Sequence, residues 1–181
     1  MTHRRRFVSV CLFLLVATSS IANASSPLRD GLRGHIRTTD DRLRRLLDQG
    51  RRTSPTFRAL VQRLLDSDVV VYLWCDATRE RVTDGRLTFV SAAGGLRYVV
   101  VRLVPLTSPE RQIAIMAHEL RHAVEIADAP DIVDDGSLHR AYRRIGFISS
   151  EPSSRTLSFD SQAAVDAGVT VLRELTENAS Y

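Results

Sequence analysis

The sequence predicts an α+β domain in which a small antiparallel sheet with a hairpin packs against one long helix and further helices. Three observations carry this. β-Branched and aromatic residues concentrate in three runs between residues 68 and 104. Apolar residues recur at three- and four-residue spacing on both sides of that region. Gly94-Gly95 separates two of the β runs, where a two-residue turn needs residues that accept positive φ.

Residues 1–24 read as a cleavable export signal. Arg4, Arg5 and Arg6 precede an apolar run over residues 7–16, and Ala22-Asn23-Ala24 fits a small-x-small cleavage pattern. The run is too short for a stable membrane anchor. Cys11 lies inside it rather than at the cleavage point, which argues against a lipid anchor. The expected location is the periplasm or the medium. About 157 residues then remain, one domain over residues 25–181 with room for its own core. In this mature part 22 arginines face 21 acidic residues, so charge gives a nucleic-acid partner little support. Cys75 is its one cysteine, which excludes an intramolecular disulfide. At the end of "VVVYLWC" it reads as a buried, inert thiol, with Tyr72 and Trp74 as core.

Residues 25–40 have no sustained period and read as an extended leader, with a short strand at residues 35–37. "DDRLRRLLDQ" puts Leu43, Leu46 and Leu47 on one helical face, and Gly50 is expected to end that helix. A second helix is expected over residues 55–66, with Pro55 in its first turn. The arginine-rich stretch of these two helices reads as a solvated face rather than an anion site. The runs "DVVVYLWC", "GRLTFVSA" and "LRYVVVRLV" follow as strands, and alternation places Arg97 and Arg102 imperfectly among their apolar neighbours. Ser108-Pro109-Glu110 starts a long helix over residues 109–127: a capping serine, a proline at the first position, an acid at the positive end of the dipole. A short helix over residues 137–145 ends at Gly146, and a last helix covers residues 160–177.

The long helix carries the chemistry. In "AHELRHAVEIADA", His118 and His122 are four residues apart, about 40° around the helix, so both imidazoles can reach one cation. Glu119 beside the first can take a proton from water and return it to a leaving amine. Ile113, Met116, Ala117, Leu120, Val124 and Ala127 form one stripe that should face the core. His118, His122 and Glu125 lie roughly opposite, so they are expected to project from the far side of the helix. A catalytic zinc takes three protein ligands and keeps one open position. Glu125 suits a partner to an imidazole better than a ligand. Asp128 lacks the chain-turning glycine that would bring it round, since Glu125 stands there. His139 stays open as a third ligand. Tyr142, His139 and Arg143 are candidates for stabilising a transition state.

"HELRHAVEIAD", then "SLHRAYRRIG", then "FDSQAAVDAGVTVLREL" resembles a group of small exported bacterial proteins of zincin type. These show HELxHA, a helix ending in Ile-Gly, and an aromatic-Glu-Thr-x-Ala-Ala segment. The resemblance covers roughly residues 97–175, and it is specific in HELxHA and looser elsewhere. It implies a zincin-like fold, with an edge strand of the hairpin able to pair with an extended peptide. It also implies a third zinc ligand on a helix downstream, a glutamate in gluzincins. By position that residue is Asp160, one methylene shorter, which must approach closer or bind differently. The implied function is a zinc metallopeptidase: His118, His122 and Asp160 hold Zn²⁺, Glu119 is the catalytic base, and zinc-activated water cleaves a peptide or protein substrate. The alternative is an inactive zincin-fold binding module in the cell envelope, supported by the shortened Asp160.

Overall fold

A computed structural model describes residues 34–77, 84–148 and 159–178. The expected signal segment, and the leader up to residue 33, lie outside the described residues. Elements follow as β1 (Ile36–Arg37), α1 (Asp41–Thr53), α2 (Pro55–Leu65), β2 (Val69–Cys75), β3 (Gly85–Ala93) and β4 (Leu96–Leu103). Then come α3 (Pro109–Asp128), α4 (Asp135–Ile145), β5 (Phe147–Ile148), β6 (Phe159–Asp160) and α5 (Gln162–Asn178). The architecture is α+β, with strand order β1-β2-β4-β3 in the main sheet and a separate β5-β6 pair.

The sheet is mixed rather than antiparallel. β2 pairs in parallel with both β1 and β4, and only the β3–β4 hairpin is antiparallel. Burial explains this. "VVVYLWC" and "LRYVVVRL" are the most apolar runs and take the two central places. β3, with Arg86, Thr88 and Ser91, takes the edge. β4 thus lies between β2, to which it is parallel, and β3, to which it is antiparallel. The turn itself is as expected: Gly94 and Gly95 have φ of 60° and 76°, and a Cβ on either would meet nothing within 4 Å.

Helices cover the sheet face that carries Val69, Val71, Leu73, Val99, Val101 and Leu103, all at most 2% exposed. Phe57 and Leu64 of α2, Leu43 of α1 and Ile113, Met116 and Leu120 of α3 complete that core. Trp74 alternates onto the opposite face and is 60% exposed, so it is not a core residue; Tyr72 is half-buried. β1 pairs only as far as Tyr72, and among the described residues no strand pairs with the end of β2 on that side. Cys75 is likewise half-buried, packed against the edge of the core.

Gly50 does not end α1, which continues to Thr53. It is buried, and a Cβ there would stand 2.9 Å from Ile113 and 3.0 Å from Phe57. The glycine marks a close approach of α1 to α2 and α3, not a stop. Ser54 supplies the break instead: extended at φ −118°, its side chain accepts from the Phe57 amide and begins α2.

Arg97 falls on the helix-covered face and is 4% exposed. Its fork donates to Asp68 at 2.7 and 2.6 Å and to the carbonyls of Ile126 and Ala129 at 2.6 and 2.7 Å. Those carbonyls belong to the end of α3, which has no basic residue in its last turn. Arg102, on the other face, is exposed.

Candidate metal centre

α3 begins where its sequence says it should. The Ser108 side chain accepts from the Arg111 amide, Pro109 opens the first turn, and the helix runs unbroken through the HELRH segment to Asp128. The expected core stripe is buried except for the half-buried Ala127, but the opposite face is not open. No residue from Gln112 to Ile126 is exposed, and Glu119, His122 and Glu125 are 5%, 7% and 8% accessible. β3, α4, β6 and α5 cover that face and leave a cleft of about 1040 Å³ between them.

His118, His122 and Asp160 meet in this cleft, with one ligand atom from each within 4.8 Å of the others. Asp160 Oδ1 lies 3.2 Å from His118 Nε2 and 3.4 Å from His122 Nε2. Around a tetrahedral zinc with bonds of about 2.0–2.1 Å, ligand atoms stand roughly 3.3 Å apart. Both separations match that spacing, and two imidazoles with one carboxylate are a donor set that zinc accepts.

Asp160 does not sit on a helix. It ends β6, and α5 starts at Gln162. The reason is local: the Ser161 hydroxyl accepts from the Ala164 amide at 3.1 Å, so Ser161 is the cap and Asp160 precedes it. The Ser161 amide in turn donates to Asp160 Oδ1 at 2.7 Å.

Each ligand has a support. His122 Nδ1 lies 2.9 Å from Glu125 Oε2 and 2.8 Å from the Tyr142 hydroxyl, while that hydroxyl donates to the same Glu125 oxygen at 2.6 Å. With the phenol proton committed to the carboxylate, the ring's Nδ1 proton points there too, and Nε2 is left toward Asp160. Ser161 donates to the other Glu125 oxygen at 2.6 Å. His118 sits where α5 comes closest: a Cβ on Gly168 would be 3.4 Å from His118 Cβ and 3.3 Å from the Ala114 carbonyl.

The electrostatics follow from this packing. Burial alone would lower the His122 pKa, but the hydrogen bonds to Asp160 and Glu125 outweigh it and raise the value to about 9. The same lone pair takes either a proton or a cation, so cation binding here would release a proton. Burial holds the His118 pKa below its usual value, with His122 adding to the effect. Asp160 and Glu125 would rise on burial, yet their imidazole and hydroxyl partners hold both below the usual carboxylate range. Burial pushes Glu119 up to about 7, against the pull of His122. Its carboxylate sits against the start of β3, near the Leu87 amide. A Cβ on Gly85 would be 2.7 Å from Glu119 Oε1.

The remaining sequence candidates lie outside the ligand group. His139 lines the cleft but packs on Phe159, ring centroids 4.8 Å apart, and is outside the ligand group. Tyr142 lines the cleft, and its hydroxyl donates to Glu125 and lies 2.8 Å from His122 Nδ1. Arg143 is exposed and does not line the cleft. Asp128 pairs with Arg63 at 2.6 Å. Sequence reasoning named Gly146 as a helix end, which it is, but not its contact with Asp160, and it missed Gly85, Ser161 and Gly168. Of those three, Gly168 left a signal, a glycine inside a helical pattern.

Compared with family models, with curated proteins and with solved structures, the chain matches none.

Proposed function

We propose that this chain is a metal-dependent hydrolase of zincin type that acts on peptide or protein substrates, with Zn²⁺ as the cation. One observation carries the reading. Asp160 Oδ1 stands at the ligand–ligand spacing of a tetrahedral centre from both imidazoles, the three ligand atoms lie within 4.8 Å of one another, and a buried glutamate adjoins them in a cleft of about 1040 Å³. His118, His122 and Asp160 would hold the cation. Bound there, it supplies Lewis acidity, polarising a carbonyl oxygen and making water more acidic near neutral pH.

The chain's own residues do the rest. Glu119 takes a proton from water entering the cleft as the new C–O bond forms, then returns it to the nitrogen that leaves when the C–N bond breaks. Glu125 and Tyr142 keep His122 in one tautomer and one orientation. β3 is the edge of the main sheet and its Gly85, Leu87 and Phe89 line the cleft, so its outer backbone edge can align an extended substrate. Export from the cytoplasm, proposed from the N-terminal pattern, places the substrate in the periplasm or the medium. Among the described residues no helix is long and apolar enough to cross a membrane.

Metal analysis beside a peptide-library assay tests the reading. The expected result is about one zinc per chain, lost in His122→Ala and in Asp160→Ala. Glu119→Gln should keep the zinc and lose hydrolysis. A wild-type chain that takes up no zinc ends the metal reading. Stoichiometric zinc with no hydrolysis of any peptide would leave a binding module.

A further inference from the structure

We propose that this centre is built specifically for an aspartate at position 160, and that Gly146 and Ser161 set its reach by bringing the backbone close. The proposal rests on the metal-site reading above and deepens it. It concerns why a carboxylate one methylene shorter than glutamate is no defect here.

The argument begins with where the backbone lies. β6 pairs with β5, Asp160 opposite Phe147, directly after the end of α4. At that end Gly146 is the cap, its amide donating to the Tyr142 carbonyl at 2.8 Å. A Cβ on Gly146 would stand 2.6 Å from the Asp160 carbonyl oxygen and 2.8 Å from that of Tyr142. Real Cβ atoms do not come so near a backbone oxygen, so any side chain at 146 would drive Asp160 away from α4. Gly146 has φ −108°, ordinary for any residue, so its requirement is space and not backbone freedom.

Ser161 holds the next residue from the other side. Its hydroxyl donates to Glu125 Oε1 at 2.6 Å, while Glu125 Oε2 faces His122 Nδ1 at 2.9 Å. One carboxylate on α3 thus fixes both the orientation of a ligand histidine and the chain position beside the third ligand. The Ser161 amide then fixes the Asp160 side chain, donating to Oδ1 at 2.7 Å.

The outcome is an Oδ1 already at 3.2 and 3.4 Å from the two Nε2 atoms. An added methylene lengthens the side chain by about 1.5 Å. Glutamate at this position therefore overshoots, or must fold back against Ser161 and lose the amide that orients it.

Zinc competition against a chromophoric chelator, with unfolding curves for every variant, decides the point. Asp160→Glu should bind zinc about tenfold or more weakly than wild type. Cobalt(II) loading should show an altered visible spectrum in that variant. Ser161→Ala should also weaken binding, whereas Ser161→Thr, which keeps a hydroxyl for both Glu125 and the Ala164 amide, should bind close to wild type. Gly146→Ala should lower affinity if it folds; Asp160→Glu, which inserts nothing between backbones, carries the test if it does not. Equal or tighter zinc binding by a folded Asp160→Glu overturns the proposal while the metal-site reading stands. No zinc in wild type overturns both.

Discussion

Arg97 of β4 and Ile126 of α3 are joined by a 2.6 Å hydrogen bond from guanidinium Nη1 to carbonyl oxygen. With the Ala129 carbonyl at 2.7 Å and Asp68 held in a two-point pair, one buried arginine closes the end of the helix that carries both histidines. Helix carbonyls at this end have no partner within the helix, and a cation there complements the dipole. Arg97→Ala should destabilise the chain by about 3 kcal/mol in chemical denaturation. Arg97→Lys should recover little, since an ammonium cannot reproduce the fork. Asp68→Asn, at a half-exposed acid, should change stability by roughly 1 kcal/mol or less. Equal losses for Arg97→Ala and Asp68→Asn would mean that the ion pair matters and the carbonyl contacts do not.

Gly85 offers a way to separate metal holding from proton transfer. A Cβ there meets Glu119 Oε1 at 2.7 Å and Ile115 at 2.8 Å, and its three nearest atoms all belong to those two residues. Gly85→Ala should therefore keep its zinc and reduce kcat by about 10²-fold, because a displacement near 1 Å is enough for that. Metal analysis and steady-state kinetics on the same preparation test this. Loss of zinc together with activity would show that the effect travels beyond Glu119.

At Gly50, helix propensity and packing predict opposite signs. Alanine inside a helix gains about 1 kcal/mol over glycine. Here its methyl meets Ile113 at 2.9 Å and Phe57 at 3.0 Å, and such overpacking costs about 1–3 kcal/mol. Gly50→Ala should lower the midpoint of thermal unfolding. A raised midpoint would mean that α1 shifts to make room.

Glu174 of α5 receives the Ser54 and Thr56 hydroxyls and the Thr56 amide at the start of α2. Burial would raise its pKa, but these donors outweigh it and hold the group below 4.5. A carboxylate with a lowered folded value contributes stability above its unfolded value. That contribution is lost as pH falls from about 4.5 through the folded value. Glu174→Gln should be less stable than wild type at pH 7, with the two curves converging in acid. Parallel curves from pH 6 to pH 3 would refute the assignment.

Much of this was legible in the chain. Ser54, Ser108 and Pro109 announce their helices because capping is a local interaction among a few residues. His118, Glu119 and His122 were legible for the same reason, four residues apart on one helix. Asp160 was reached by resemblance, yet its setting on a strand before a serine cap was not foreseen. The parallel pairing of β2 with β4 was hidden as well, because three apolar runs give no strand order; only competition for the buried places does. The burial of the histidine face depended on α4, β6 and α5 folding back over α3, which no helical wheel of α3 contains. Arg97 looked like a fault in an alternating pattern because its partners, the carbonyls at the end of α3, lie about thirty residues ahead.

The turn at Gly94 and Gly95 has a practical use. Both glycines are there for their positive φ, and a Cβ on either would meet open space. Gly85, at the other end of the same strand, touches Glu119. Eight residues of strand separate Gly85 from Ala93, roughly 26 Å at the usual rise. The hairpin thus has one end against Glu119 and the other at an open turn, with a register shift between Phe89 and Ser91 on the way. A short loop or a fluorescent label inserted between the two glycines would report distances to the cleft from a place where it disturbs neither register nor packing.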